Sequence, residues 1–165
     1  MLQRVHIIIW VILSCDRLFY CLDNDPTCTA NIAAGACPKD WRPWGGACYT
    51  ATREKAPQLK SKMTCFKMGG RLAVPSCAEE NEFIRASVIP EGVTAAYIGC
   101  TRENGTEWEC GMGASWNWSD AKVEMGNGEM EYCLIMYKNG GTWTDAECHR
   151  KRVAVCKVIK HHLHF

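Results

Sequence analysis

The sequence lacks an excess of charge of either sign. Its 165 residues include 19 Lys and Arg against 18 Asp and Glu, which gives a formal net charge of +1 at pH 7. Because nucleic-acid-binding surfaces need a marked excess of basic residues, this balance argues against a nucleic-acid partner. A chain of this length is long enough for one domain with one core.

Apolar runs long enough to span a bilayer are also missing. The segment "MLQRVHIIIWVILSC" places Arg4 before an apolar run at residues 5–13, which is too short for a transmembrane helix. A basic residue followed by such a run is typical of a signal peptide, with cleavage after Ser14, Cys15 or Cys21. We therefore predict a signal peptide over residues 1–21, secretion to the extracellular space, and no membrane span.

Zinc-site and catalytic signatures are absent as well. The 12 cysteines include no CxxC pair, which is the usual spacing of zinc ligands. Beyond the signal segment, histidine is confined to His149 and the last residues, and no Ser/His/Asp or Cys/His combination is apparent. We therefore expect the protein not to be an enzyme. Cysteines at long and irregular intervals are instead typical of a disulfide framework.

Composition divides the rest of the chain into three parts. Residues 22–36, which include "DNDPTCTANIAAGA", are small and polar and are predicted to form a linker. Residues 37–157 are expected to form the compact domain, and residues 158–165, ending in "KHHLHF", a tail. The first segment of the domain, "CPKDWRPWGGACYTA", suits a hairpin tied by Cys37 and Cys48.

Two helices and several strands are predicted inside the domain. In "EKAPQLKSKMTCFKMGGRL", Leu59, Met63 and Phe66 recur at helical spacing, with lysines 60, 62 and 67 placed opposite them. In "PSCAEENEFIRASVIP", Ser76 and Glu79 form a capping-box pattern for a second helix. The segments "AAYIGC", "TEWEC", "YCLIMY", "GTWT" and "VAVCKV" are typical of strands. Helices followed by strands predict an α+β fold.

Several segments together resemble the C-type lectin-like domain in its long form. They are "CPKDWRPWGGACY", "CFKMGGRLAVPSCAEENEFI", "YIGC" and "WTDAECHRKRVAVCK", and they occur in the family's order over about residues 37–157. The resemblance implies two helices, small antiparallel sheets and a long loop region, stapled by disulfide bonds. It also implies a recognition protein whose ligand face is built by the long loops.

The resemblance implies three disulfide bonds, Cys37–Cys48, Cys65–Cys156 and Cys133–Cys148. Cys100 and Cys110 lie on neighbouring predicted strands and are expected to form a fourth. The pairing of Cys15, Cys21, Cys28 and Cys77 stays open. Cys28 could form an interchain bridge, which would make a disulfide-linked dimer, or it could pair with Cys77 within one chain.

In sugar-binding members of the family, a calcium ion in the long loops is bound partly by a Glu-Pro-Asn or Gln-Pro-Asp triplet. This sequence has Lys122, Val123 and Glu124 at that position. Lys122 replaces an acceptor with a cation, which repels calcium. Val123 replaces the proline whose cis peptide orients the ligands, and cis bonds are essentially confined to proline.

Two other family ligands are present. Glu131 matches the acid before Cys133, and Asp145 matches the acid after the tryptophan, with Thr144 in place of asparagine. The candidate metal ligands are Glu124, Glu131 and Asp145, and the candidate carbohydrate-binding residues are Lys122, Glu124, Glu131, Thr144 and Asp145. Because calcium takes about six to eight oxygens, we expect a degenerate site that binds calcium weakly at most.

The leading hypothesis is a secreted lectin-like protein that binds carbohydrate or a glycoprotein through the long-loop face. The alternative is a calcium-independent lectin-like domain that binds a protein there. Sequons at Asn104 and Asn117 predict N-glycosylation of an exported chain.

Overall fold

The computed structural model describes residues 37–102, 108–111, 123–124 and 132–160, with only the backbone described at 123–124. The predicted signal peptide, the predicted linker and residues 161–165 lie outside the described residues. None of the helices in the described part of the chain has the length and apolar character needed to cross a bilayer.

The described residues form two α-helices and nine strands, which confirms the α+β class. Helix α1 is Gln58–Lys67, and helix α2 is Ala78–Phe83, continued by a π-helical turn at Ile84–Val88. The strands are β1 (Arg42–Trp44), β2 (Ala47–Ala51), β3 (Arg71–Leu72), β4 (Ala95–Arg102), β5 (Glu109–Cys110), β6 (Val123–Glu124), β7 (Tyr132–Tyr137), β8 (Trp143–Glu147) and β9 (Val153–Ile159).

Hydrogen bonds join these strands in the order β1-β2-β9-β4-β7-β8-β6, with β3 beside β9 and β5 beside β4. Most pairs are antiparallel, as expected, but β4 with β9 and β6 with β8 are parallel. The first and last parts of the domain meet where β2 pairs with β9, which extends to Ile159. The sheet therefore runs two residues beyond the expected domain boundary at residue 157.

The core lies around the central strands β4, β7 and β9. Tyr49, Ile84, Ile98, Leu134 and Val155 are among its fully buried side chains. Such strands, rich in aromatic and β-branched residues, form because each covers apolar area against its neighbours.

The four predicted disulfide bonds are present in the structure. They are Cys37–Cys48, Cys65–Cys156, Cys100–Cys110 and Cys133–Cys148. Cys65–Cys156 joins α1 to β9 across 91 residues of sequence. In the chain-entropy model, closing a loop of that length stabilises the fold by about 4–5 kcal/mol.

Helix α1 forms where it was predicted, but the expected direction of its apolar face is wrong. Leu59, Met63 and Phe66 are exposed. The buried residues of the helix are Gln58, Ser61 and Cys65. The bridge from Cys65 to β9 explains this orientation. Successive residues are about 100° apart around a helix, so turning Cys65 to the sheet points the apolar residues away from it.

The capping box predicted for α2 is also wrong. The helix begins after Cys77, so Ser76 is not its N-cap, and the Ser76 hydroxyl donates to Glu80 Oε2 at 2.8 Å. Glu80 is fully buried and also accepts hydrogen bonds from Tyr49 and Lys157. A buried carboxylate needs hydrogen-bond donors, and Ser76 supplies two of them through its backbone amide and its hydroxyl.

Candidate functional site

The strands that end at the long-loop region bring part of the predicted ligand set together. Strand β6 pairs in parallel with β8, so that Glu124 lies opposite Thr144 in the backbone register. Asp145 follows in β8. Three of the five predicted positions therefore lie on two adjacent strands. Lys122 and Glu131 lie outside the described residues, and only the backbone of Glu124 is described.

An arginine that was not predicted lies beside the predicted metal ligand. Arg102, at the end of β4, places its Nη2 atom 4.0 Å from Oδ2 of Asp145. Both side chains are nearly buried, with 13% of Arg102 and 8% of Asp145 exposed. At this distance and an effective dielectric constant of about 20, the Coulomb attraction is about 4 kcal/mol before the cost of desolvation.

Two aromatic rings hold the guanidinium group in place. The Cζ atom of Arg102 lies 5.2 Å from the ring centroid of Trp108 and 5.7 Å from that of Tyr132. Register explains one contact, because Arg102 and Tyr132 are direct partners between β4 and β7. Trp108 comes from the segment leading into β5, which the Cys100–Cys110 bridge ties to β4. Cation–π contacts of this kind contribute about 0.5–2 kcal/mol each. We call Arg102, Trp108, Tyr132, Thr144 and Asp145 the loop-face cluster.

This arrangement does not fit calcium at Asp145. A calcium ion lies about 2.3–2.6 Å from a carboxylate oxygen, so an ion on Oδ2 would lie within about 6–7 Å of the Arg102 nitrogen. Repulsion between that divalent ion and the guanidinium would then be about 5 kcal/mol or more. Within the described ranges, no three His, Cys, Asp or Glu side chains are grouped as a metal site would need. The guanidinium already supplies the positive charge beside Asp145.

Hydrogen bonds to helix α2 hold the strand that carries Thr144 and Asp145. Trp143, buried at the start of β8, donates from Nε1 to Asn81 Oδ1 at 2.8 Å, and Asn81 Nδ2 donates to the Gly141 carbonyl at 2.9 Å. These bonds fasten the turn and the strand to helix α2. Thr144 and Asp145 of the candidate site therefore lie on a strand that is bonded to a helix, and not on a loop.

The segment that follows β8 is fastened by a tyrosine. The Tyr97 hydroxyl donates to the Arg150 carbonyl at 2.7 Å and lies 3.0 Å from the Glu147 carbonyl. Burial raises the pKa of Tyr97, because desolvation disfavours its phenolate form. The Cys133–Cys148 bridge joins β7 to the end of β8 in the same region.

Several other predicted sites cannot be compared with the structure. Asn104 and Asn117 lie outside the described residues, as do Cys15, Cys21 and Cys28. Cys77 is half-buried at the N-cap of α2.

Arg102 is the residue that sequence reasoning missed. It occurs in "YIGCTRENG", two residues beyond Cys100. A basic residue at the end of a strand is common, and only the pairing of β4 with β7 brings it to the predicted ligand face.

Known proteins with similar sequences and folds agree with this architecture. The profile of the Lectin C-type domain family matches residues 54–158. C-type lectin domain family 4 member A of Mus musculus is 27% identical over 152 aligned residues, which cover 84% of this chain and 63% of that protein. The chain thus spans less than two thirds of that relative's length.

Solved structures show the same fold. The C-type lectin domain of murine dendritic cell inhibitory receptor 2, solved in complex with N-glycan, has a TM-score of 0.63 and 26% identity, covering 75% of this chain and 99% of that one. A calcium-independent type II antifreeze protein has a TM-score of 0.65 and 21% identity, covering 78% of this chain and 98% of that one. Because the family profile matches more than half of the sequence, this chain belongs to the Lectin C-type domain family.

Proposed function

We propose that this C-type lectin-like domain binds a carbohydrate or glycoprotein ligand through the long-loop face without a calcium ion at Asp145. The observation that carries the proposal is the Arg102 guanidinium 4.0 Å from the Asp145 carboxylate. The related murine receptor domain, which was solved with an N-glycan, supports the ligand class.

Arg102 takes over one of the two tasks of a lectin calcium ion. The ion neutralises acidic side chains, and it also binds sugar hydroxyls directly. Arg102 performs the first task, because its charge lies beside Asp145 and its position is held by Trp108 and Tyr132. Since only 13% of its side chain is exposed, it contributes little direct contact to a ligand. We therefore expect carbohydrate binding to be weak and to depend on polar groups such as the Thr144 hydroxyl.

A glycan array probed with calcium and with a chelator tests this proposal. We expect the same glycans to bind at similar strength in both conditions. Loss of all binding in the chelator would contradict the proposal, because it would show that a metal ion bridges protein and sugar. A parallel thermal-unfolding titration should show little gain in melting temperature with calcium, since only a ligand of the folded state stabilises it.

A protein ligand on the same face is the second candidate. It is favoured by Lys122 and Val123, which depart from the family's triplet and remove groups that bind sugar hydroxyls. The two candidates differ in their response to periodate oxidation of a captured ligand. Oxidation destroys sugar diols and should abolish binding of a carbohydrate, whereas a contact with polypeptide should persist.

Export of the chain is part of the proposal and is supported by the four disulfide bonds, which persist in oxidising compartments. Expression in a eukaryotic secretory system should release the protein into the medium with a glycan at Asn104. Mass analysis before and after glycosidase treatment tests the glycan. A non-reducing gel tests whether Cys28 links two chains, because a linked dimer would separate on reduction.

A further inference from the structure

Helix α1 presents its apolar residues to solvent. Leu59 is 69% exposed, Met63 48% and Phe66 66%. They occupy positions i, i+4 and i+7, which fall on one side of a helix. We call them the α1 stripe. An exposed row of large apolar side chains marks an interaction surface more often than single exposed residues do.

Basic side chains border the stripe on both sides. At about 100° per residue, Lys62 lies on one flank and Lys60 and Lys67 lie on the other, so the prediction that these lysines lie opposite the apolar residues is wrong. The helix, "QLKSKMTCFK", contains no acidic residue, and the exposed Arg71 follows it in β3. None of these four basic groups forms an ion pair with another residue in the described part of the chain. Their charges are therefore directed to solvent.

An apolar groove adjoins the stripe. It has a volume of about 460 Å³ and lies between α1 and the strands β3, β4 and β5. Met63, Phe66 and Leu72 line it, and Lys62 and Arg71 stand among its polar lining residues, together with the acidic Glu109. The face thus combines exposed apolar side chains, an apolar groove and a mainly positive border.

We propose that α1 docks the domain on an anionic phospholipid surface, with the α1 stripe inserted among the acyl chains at the interface. An apolar stripe with lysines on both flanks suits such a surface. The apolar groups leave water while the flexible lysines extend their charges to the lipid headgroups. This docking is independent of ligand binding at the loop-face cluster.

The same charges disfavour a second copy of this chain as the occupant. Two copies meeting through this face would bring four basic groups of one chain against four of the other. Like charges across an interface weaken association, and the helix carries no acid to offset them. On an anionic bilayer, each lysine near the surface instead strengthens the binding of the domain.

Vesicle sedimentation of the full chain tests the proposal. The vesicles contain equal parts of phosphatidylglycerol and phosphatidylcholine, with pure phosphatidylcholine as the uncharged reference. We expect binding to the anionic vesicles, weaker binding as salt rises, and little binding to the reference. The double variants Leu59→Ser/Phe66→Ser and Lys60→Glu/Lys67→Glu should each lower the partition coefficient by about tenfold or more.

A matched control has the same charge change elsewhere. Arg42→Glu/Lys151→Glu alters two exposed basic residues that lie outside α1 and its groove, and it should change partitioning by less than about threefold. All the substituted side chains are exposed, so circular dichroism and melting temperature should stay close to those of the unmodified chain. That measurement separates loss of docking from loss of folding.

Four results would overturn the proposal. The first is no binding to anionic vesicles. The second is undiminished binding of Leu59→Ser/Phe66→Ser, which would assign the affinity to another part of the chain, such as residues 5–13. The third is a concentration-dependent dimer in sedimentation velocity that the same substitutions abolish. The fourth is saturable binding of an acidic amphipathic peptide without vesicle binding, which would assign the face to a protein.

Discussion

Glu80 and Asp145 are both nearly buried acids beside a basic side chain, but the fold surrounds them differently. Glu80 in α2 is 0% exposed and lies 3.0 Å from Lys157 Nζ. The Tyr49 hydroxyl donates to it at 2.8 Å, and Ser76 donates through its backbone amide at 3.0 Å and its hydroxyl at 2.8 Å. Four donors on one carboxylate make a closed network inside the scaffold.

Asp145 lies at the predicted ligand face, and the basic side chain of Arg102 approaches it less closely. Arg102 is 4.0 Å away, and the Thr144 hydroxyl lies 3.5 Å from Oδ1 of Asp145. The guanidinium is held as much by the rings of Trp108 and Tyr132 as by the acid. The first acid therefore belongs to a network inside the scaffold, whereas the second belongs to the loop-face cluster.

Removing Glu80 should produce the largest effect. Glu80→Ala removes the buried carboxylate that accepts from Tyr49, Ser76 and the nearly buried Lys157, which should lower the free energy of unfolding by about 3–5 kcal/mol. Urea unfolding followed by tryptophan fluorescence measures it. Glu80→Gln keeps the shape and the acceptor oxygen and should cost less. Equal stability of Glu80→Ala and the unmodified protein would show that the network is not stabilising.

Removing Arg102 should have a smaller effect on stability. Arg102→Met keeps the apolar contact with Trp108 and Tyr132 but removes the positive charge beside Asp145. We expect the free energy of unfolding to fall by about 1–3 kcal/mol. The double variant Arg102→Met/Asp145→Asn removes both charges and should recover part of the loss. If the double variant loses the sum of the two single effects, the pair is not coupled.

Calcium should affect the melting temperature of variants at Arg102 and at Glu80 differently. In the unmodified protein, we expect calcium at millimolar concentration to change the melting temperature by less than about 1 °C, because Arg102 repels the ion. In Arg102→Ala, the repulsion from Arg102 is removed while that from Lys122 stays, and calcium should raise the melting temperature by about 2–4 °C. Glu80→Gln should show no such gain. A large rise for the unmodified protein at micromolar calcium would instead identify a working metal site.

The smallest effect concerns alkaline pH. Burial raises the pKa of Tyr97, whose hydroxyl anchors the segment after β8, above its unfolded value of about 10. The stability that the neutral hydroxyl contributes is therefore complete below pH 10, and it is lost as the pH rises from there through the folded pKa. Unfolding measured from pH 8 to 11 should show this decline. Tyr97→Phe should be less stable at pH 8 and should lack this part of the decline.

The elements were predictable where local signals are strong. Pro57 precedes α1 and Gly69, with φ of +80°, follows it, and both residue types are common at these ends of a helix. The strands around Tyr97 and Val155 were predictable from their β-branched and aromatic residues. The capping box failed because the helix begins one residue later than predicted, with Cys77 as its N-cap, and Ser76 donates to the buried Glu80 carboxylate.

Some positions of the predicted ligand set are neighbours in the structure, and their ligand roles stay predictions. Glu124 is paired with Thr144 in the backbone register of β6 and β8, and Asp145 follows in β8. Arg102 was not predictable, since it reaches the face only through strands from distant parts of the sequence. Nothing in the segment around Arg102 indicates which acid it will meet.

The sequence by itself indicated the family, because its motifs occur in the family's order, and the resemblance then implied the pairs Cys37–Cys48, Cys65–Cys156 and Cys133–Cys148. Only the tertiary structure decided two features that bear on function. The Cys65–Cys156 bridge sets the rotation of α1 and so turns Leu59, Met63 and Phe66 to solvent, although their spacing alone suits a core-facing helix. The pairing of β4 with β7 places a cation beside Asp145. Both depend on contacts between residues far apart in the chain, which local patterns do not encode.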